Sequence, residues 1–302
     1  MSPTIIRGGA TVTRLVQAAR MAYDLHFIEH ALDRESRMER GVALFKRKQV
    51  DEALAYLEAA LDLEAGTPGR TARLHYYIAE CHFGKRDYEL AMYHYNTSIE
   101  MNPNDFQVYF DRGYLHQKQN RTMASIDDFT ACIALNGAFP SAYHNRGIAY
   151  KQVGNIDMAI EDLRKAVAMS SSHVRTKKSL LDLLLPQALR DLRLGRYQEA
   201  LSRLDECARL DPVPAQVFSE RAAVYSRLGR YRDAVDDYTL ALDLRPRSTD
   251  LLKGRADAHQ RLGNIRAAMR DYMAILDVRP ASNTASRGLS TCLLQAEVGH
   301  PY

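Results

Sequence analysis

Apolar residues recur along this chain at spacings of three and four, in segments of about 13 residues separated by turns that carry Gly or Asn. That spacing predicts amphipathic helices, and the short turns predict that they pair as hairpins. The pairs repeat with a period of 34. Gly-Arg-Tyr-Gln-Glu-Ala at 195–200 returns as Gly-Arg-Tyr-Arg-Asp-Ala at 229–234 and as Gly-Asn-Ile-Arg-Ala-Ala at 263–268. Upstream the same register gives Gly-Asn-Ile-Asp-Met-Ala at 154–159 and Lys-Arg-Asp-Tyr-Glu-Leu-Ala at 85–91. Seven units follow: 34–67, 72–105, 106–139, 140–173, 181–214, 215–248 and 249–282.

Side-chain size supports the register. The eighth position is Gly41, Ala79, Gly113, Gly147, Ala188, Ala222 and Ala256; the twentieth is Ala53, Ala91, Ser125, Ala159, Ala200, Ala234 and Ala268. Small residues at both places let two helix backbones approach. The twenty-fourth position is large throughout (Leu57, Tyr95, Phe129, Leu163, Leu204, Tyr238, Tyr272) and fills the space beside them. Pro103, Pro212, Pro246 and Pro280 close four units, where a residue without an N–H stops the second helix.

The units resemble tetratricopeptide repeats, a helix–turn–helix family of this period, over residues 34–282. Pentatricopeptide repeats usually run to 35 residues and lack this set of small positions. The resemblance implies an all-α fold: a right-handed α-solenoid, or superhelix, of seven hairpins with a flanking helix at each end. It divides the chain into an amino-terminal amphipathic segment (1–33), units one to four (34–173), an extended unit five with units six and seven (174–282), and a capping helix and tail (283–302). Two departures stand out. The fourth position, often Trp in the family, is Arg37, His75, Tyr109, Tyr143, Leu184, Phe218 and Leu252. Unit five carries Pro186 and Asp191 inside its first helix. The insert 174–180 before that unit is about two helical turns, which predicts one long, kinked helix and a change in superhelix direction there.

A second regularity joins Arg to Asp. The seventh position is Arg112, Arg146, Arg221 and Arg255, and sixteen residues on stand Asp128, Asp162, Asp237 and Asp271. The other units place Arg40 with Tyr56, Ile78 with His94, and Gln187 with Arg203. The two positions face each other across the hairpin, so the expected role is a partly buried structural ion pair.

Charge and composition narrow the function. The 302 residues carry 41 basic and 37 acidic side chains, a formal net charge of +4, mixed in sign along the repeats. A nucleic-acid reader shows a basic face, so no specific nucleic acid is expected. No apolar run is long enough to span a membrane. Cys81, Cys132, Cys207 and Cys292 form no CxxC motif and read as reduced thiols in an intracellular protein. The sequons at Asn96 and Asn120 are read as chance matches. The amino terminus carries Arg7, Arg14 and Arg20 with no acid before Asp24, as transit peptides do; its stripe Val12, Leu15, Val16, Ala19 and Tyr23 favours an amphipathic cap helix.

Catalytic chemistry finds little support. His26-Phe27-Ile28-Glu29-His30 fits H-x-x-E-H, but without a surrounding catalytic domain these read as helix-surface histidines, so neither metal nor cofactor is expected. No phosphate loop, nucleophile elbow or kinase signature occurs, and the chain is expected not to be an enzyme.

In the family, the second, fifth, ninth and twelfth positions of each first helix line a concave groove. Here they include Met38, Val42, Phe45, Tyr76, Phe83, Phe110 and Tyr114 in units one to three, with Tyr77 and His144 at the margin. Units six and seven offer the polar set Gln216, Ser219, Ser226, Asp250, Lys253 and Asp257. The resemblance therefore implies that a peptide or helix of another protein binds the groove at Phe45, Tyr76, Tyr77, Phe83, Phe110, Tyr114 and His144. The Lys and Asn set with which co-chaperone repeats grip a terminal carboxylate is missing: Met38, Val42, Tyr77, Gln107 and Asp111 stand there instead. The expected function is a cytoplasmic, non-catalytic scaffold or adaptor in a multiprotein complex. The alternatives are a structural subunit of a large ciliary or mitochondrial assembly and, more distantly, an RNA-associated helical repeat.

Overall fold

The computed structural model describes residues 33, 36–63, 68–170 and 172–298, and all regular structure among them is α-helical. The expectations for residues 1–32, including Val12, Tyr23, His26 and His30, lie outside the described residues. Two compact units divide the chain, one ending at Val153 and the other beginning at Gly154.

The first unit holds α1 (36–46), α2 (Val50–Asp62), α3 (Pro68–Lys85), α4 (Tyr88–Met101), α5 (Phe106–Lys118), α6 (Thr122–Leu135) and α7 (Pro140–Gln152). The second holds α8 (Ile156–Met169), α9 (Val174–Arg193), α10 (Tyr197–Cys207), α11 (Ala215–Arg227), α12 (Tyr231–Leu244), α13 (Thr249–Arg261), α14 (Ile265–Val278) and α15 (Asn283–Val298). The repeat is thus an array of antiparallel helices joined by short turns.

One backbone feature sets the turns. The fifteenth position of each repeat has positive φ: Lys48, Arg86 and Asn120 between 58° and 67°, Gly154, Gly195, Gly229 and Gly263 between 72° and 81°. A left-handed residue ends the first helix and turns the chain back. Glycine adopts that conformation freely, whereas Lys48 and Arg86 hold it against their own Cβ atoms. Among the second helices α8 starts on a side-chain cap, where Asn155 Oδ1 accepts from the Met158 N–H at 3.3 Å.

Packing follows side-chain size. A Cβ added to Gly41 would lie 2.7 Å from Leu57 Cγ, and one added to Gly113 would lie 2.9 Å from Phe129 Cε1. The eighth position is therefore small because the twenty-fourth residue of the same hairpin occupies the space. The same large residue packs forward as well: Tyr238 and Tyr272 fill the sites where Cβ atoms on Gly254 and Gly288 would be, 2.4 Å from each ring. In the first unit, Met38, Val42, Leu57, Leu74 and Ile78 form one core, and Ala79, Tyr95, Val108 and Leu115 continue it. In the second, Ala285 and Cys292 of α15 join the core built by α11 to α14.

The insert 174–180 is helical. It is continuous with α9, which runs for 20 residues with Pro186 inside it. Proline donates no hydrogen bond to the preceding turn there.

Candidate functional site

A ladder of arginines fixes the hairpins. Arg221 donates through Nε and Nη2 to Asp237 at 2.6 and 2.7 Å. Arg112 holds Asp128 at 2.9 and 2.6 Å, and Arg255 holds Asp271 at 2.9 and 2.8 Å, in the same two-pronged way. The third nitrogen reaches sixteen residues backwards. Arg112 Nη1 donates to Asn96, Arg146 Nη1 to Thr130, Arg221 Nη1 to Asp205 and Arg255 Nη1 to Thr239, at 2.8 to 3.1 Å. Each of these arginines therefore also ties its hairpin to the one before. Helical spacing supplies rings beside them: Phe218 and Tyr225 flank Arg221 at 5.9 Å, and Tyr143 and Tyr150 flank Arg146 at 5.8 and 5.7 Å. Arg146 and Asp162 fall on opposite sides of the division at Val153, and Asp162 is buried.

The hairpins without that pair use other chemistry at the same places. Arg40 lies over the Tyr56 ring at 5.0 Å. In α9–α10 the polarity is inverted. Arg203 on the second helix donates to Gln187 at 3.2 Å and to buried Asp191 at 2.5 Å. In α3–α4, His94 turns to His75, with Nδ1 atoms 2.8 Å apart, and stacks against His82 with ring centroids 5.7 Å apart. Burial, then the neighbouring His75 and His82, lowers His94 to about 4, and burial lowers His75.

The aromatic positions of units one to three fall into three groups. Phe45, Tyr77 and Tyr76 make an edge-on chain, with centroids 6.0 and 5.1 Å apart. Phe83 meets Tyr88 and Tyr114 at 5.9 Å in each case, and Tyr114 is the most exposed ring of the set at 36%. Phe110 packs on Phe129 and Phe139 at 5.7 and 4.9 Å, which draws it toward the core between α5, α6 and the start of α7. His144 is half-buried on α7.

Between these groups lies a polar centre that the stripe of apolar residues did not reveal. The Tyr76 hydroxyl donates to Asp111 Oδ2 at 3.0 Å, and Gln107 Nε2 donates to the same oxygen at 2.9 Å. The Tyr95 hydroxyl donates to Glu80 Oε1 in a short hydrogen bond. Burial, followed by the charge of Asp111, pushes Glu80 up to about 7, while the Tyr95 hydrogen bond works the other way. Burial also raises Asp111, against its hydrogen bonds from Gln107 and Tyr76. Both tyrosine hydroxyls are raised by burial and by these carboxylates. The signal was present in the register. Glu80 is the ninth residue of its unit, and Asp111 stands at the sixth, where Gly254 receives Tyr238 in a later repeat.

The corresponding face of the second unit is internally satisfied. Lys253 pairs with Asp257 at 2.6 Å, Asp257 accepts from Tyr272 at 2.7 Å, and Ser219 donates to the Gln216 carbonyl at 2.9 Å. Among the described residues no group of His, Cys, Asp and Glu is arranged to hold a metal ion, and no helix is long and apolar enough to cross a membrane.

Comparison with known proteins finds the same kind of repeat along the chain. The tetratricopeptide-repeat profiles match residues 34–104, 94–127, 140–173, 185–249 and 253–297. Tetratricopeptide repeat protein 28 of Mus musculus is 23% identical over 119 residues, 39% of this chain and 5% of that protein. Hsc70-interacting protein 1 of Drosophila melanogaster is 29% identical over 84 residues, 28% of this chain and 22% of that protein. The matches thus span well under half the length of these relatives. A tetratricopeptide repeat protein from Parabacteroides merdae superposes with a TM-score of 0.49 and 17% identity, over 87% of this chain and 99% of the other.

Proposed function

The chain belongs to the tetratricopeptide-repeat family, and from that premise we propose that it is a non-catalytic protein-interaction scaffold or adaptor. A peptide or helical segment of another protein binds the face made by the first helices of hairpins one to three. The observation that carries this reading is two groups of partly exposed rings on these helices, Phe45 with Tyr77 and Tyr76, and Phe83 with Tyr114. Rigid aromatic side chains offer large contact area for little lost entropy, so they dominate binding energy where a partner covers them. The name of Hsc70-interacting protein 1 describes a protein with a protein partner, which supports the same general role here. An acidic chaperone tail is not the partner we propose, because Tyr77, Gln107 and Asp111 replace the cationic clamp. The free, buried cysteines are consistent with a reducing, cytoplasmic setting.

Site-specific photocrosslinking tests the face. A crosslinking residue at Tyr114 is expected to capture a partner chain in native lysate. The same residue at Met123, which is 63% exposed on α6, is expected to capture none. Equal capture at both positions would refute the assignment.

A further inference from the structure

The arginine ladder defines what this fold does with carboxylates beside aromatic rings. Arg221 sits between Phe218 and Tyr225, each 5.9 Å away, and bonds Asp237 and Asp205. Arg112 lies 5.7 Å from the Tyr109 ring and bonds Asp128. In each case a planar guanidinium satisfies an acid with two parallel hydrogen bonds while its face meets a ring.

Glu80 on α3 and Asp111 on α5 present the same ingredients without the arginine. Tyr76 and Tyr95 hold them by hydrogen bonds, and Phe83 and Tyr114 lie alongside on the same two helices. Neither carboxylate bonds a Lys or Arg among the described residues. Basic groups on these helices are engaged elsewhere: Arg112 bonds Asp128 and Asn96, Arg73 lies over Tyr77 at 5.7 Å and Lys118 over Tyr114 at 5.0 Å. Asp105 adds a further negative charge near Asp111. Two acids held close together without a counter-charge are destabilising, and a guanidinium entering between them relieves both.

We propose that the Glu80–Asp111 centre receives an arginine side chain from a partner segment, whose flanking apolar residues lie along Phe83 and Tyr114. This rests on the binding face proposed above and names the chemistry of its partner: a basic, apolar peptide. Lysine fits less well, because it lacks the flat fork that engages two carboxylates and a ring together.

Fluorescence anisotropy on the full chain tests this with three short labelled peptides. One carries arginines between leucines; its twins carry glutamate or glutamine at the arginine positions. The arginine peptide is expected to bind about tenfold or more tightly than the glutamate twin. Glu80→Gln combined with Asp111→Asn is expected to erase that preference. If this double variant melts early, Glu80→Gln alone serves, with a smaller loss expected. A glutamate peptide that binds equally well, or a preference that survives in the variants, overturns the inference. Tyr76→Ala with Tyr114→Ala separates the two claims. If it weakens all three peptides alike while charge makes no difference, the face stands and the arginine site falls; if it weakens none, both fall. Arg7, Arg14 and Arg20 replaced together by Gln test self-occupancy. A gain of about tenfold in affinity for the arginine peptide would mean that the chain's own segment fills the site, overturning the assignment to a partner.

Discussion

Tyr76 on α3 donates its hydroxyl to Asp111 on α5 at 3.0 Å, so one hydrogen bond spans two consecutive hairpins at the centre of the aromatic face. In the last repeat the position of Asp111 is Gly254, which receives the Tyr238 ring. In the third repeat an acid stands there instead, and its charge acts on a second acid, Glu80.

Burying these two acids has a cost in stability that depends on pH. Glu80 is raised from 4.5 to about 7 by burial and by Asp111, so the folded state binds the proton more tightly than the unfolded state. Stability is therefore full below about 4.5 and is lost as pH rises toward 7. Glu80→Gln keeps an oxygen to accept from Tyr95 and removes the charge. Thermal melts are expected to show the variant more stable than wild type at pH 8, on the order of 1–2 kcal/mol, and nearly equal at pH 4. A variant less stable at pH 8 would contradict this.

The histidine stack acts in the opposite direction. His94 lies between His75 and His82, and its burial lowers it from 6.5 to about 4. Its neutral form is the folded form, so its contribution is intact above about 6.5 and is lost as pH falls toward 4. In a Glu80→Gln background, which removes the opposing titration, unfolding is expected to ease by on the order of 1–2 kcal/mol from pH 7 to pH 4.5. His94→Leu is expected to flatten that slope, as read by urea denaturation at each pH.

The arginine ladder is expected to be costly to break. Asp237 is 3% exposed, and Arg221→Met leaves it buried without its cation. The expected loss is about 3–5 kcal/mol, because the stranded charge adds to the lost bonds. Lys165→Gln, which removes an exposed partner of Glu161 at 2.7 Å, is expected to change stability by less than about 1 kcal/mol. Chemical denaturation of both variants makes the comparison.

Backbone strain at the hairpin turns is separable from packing. Arg86 has φ 67°, and Arg86→Gly is expected to raise stability by about 1 kcal/mol. Gly229→Ala is expected to lower it by about as much. A Cβ there meets nothing within 4 Å, so the effect comes from the φ of 74° alone.

The hairpins were legible in the sequence because the contacts that make them recur at fixed offsets. Gly41 and Leu57, or Gly113 and Phe129, are sixteen residues apart, and the same interval separates Arg from Asp. The backward half of the ladder, from Arg112 to Asn96 and from Arg221 to Asp205, has that interval in reverse but varies in residue type, which hides it. The inverted pair of Arg203 with Asp191 was hidden for a related reason: the acid stands four residues beyond the expected position, on the next turn of α9. Glu80 escaped notice because a stripe chosen for apolar residues passes over the acid within it, and Asp111 stands off the stripe, at a position weighed only for a cationic clamp. Their proximity depends on how α3 packs against α5, which no single repeat encodes.

The most direct test of the binding face compares wild type with Tyr76→Ala/Tyr114→Ala for capture of the crosslinked partner and for melting temperature, in parallel. If the face binds the partner, capture falls about tenfold or more while the folded fraction at the assay temperature is unchanged. Capture that persists at the wild-type level, with only a lower melting temperature, would show that these rings belong to the core and that the partner binds elsewhere.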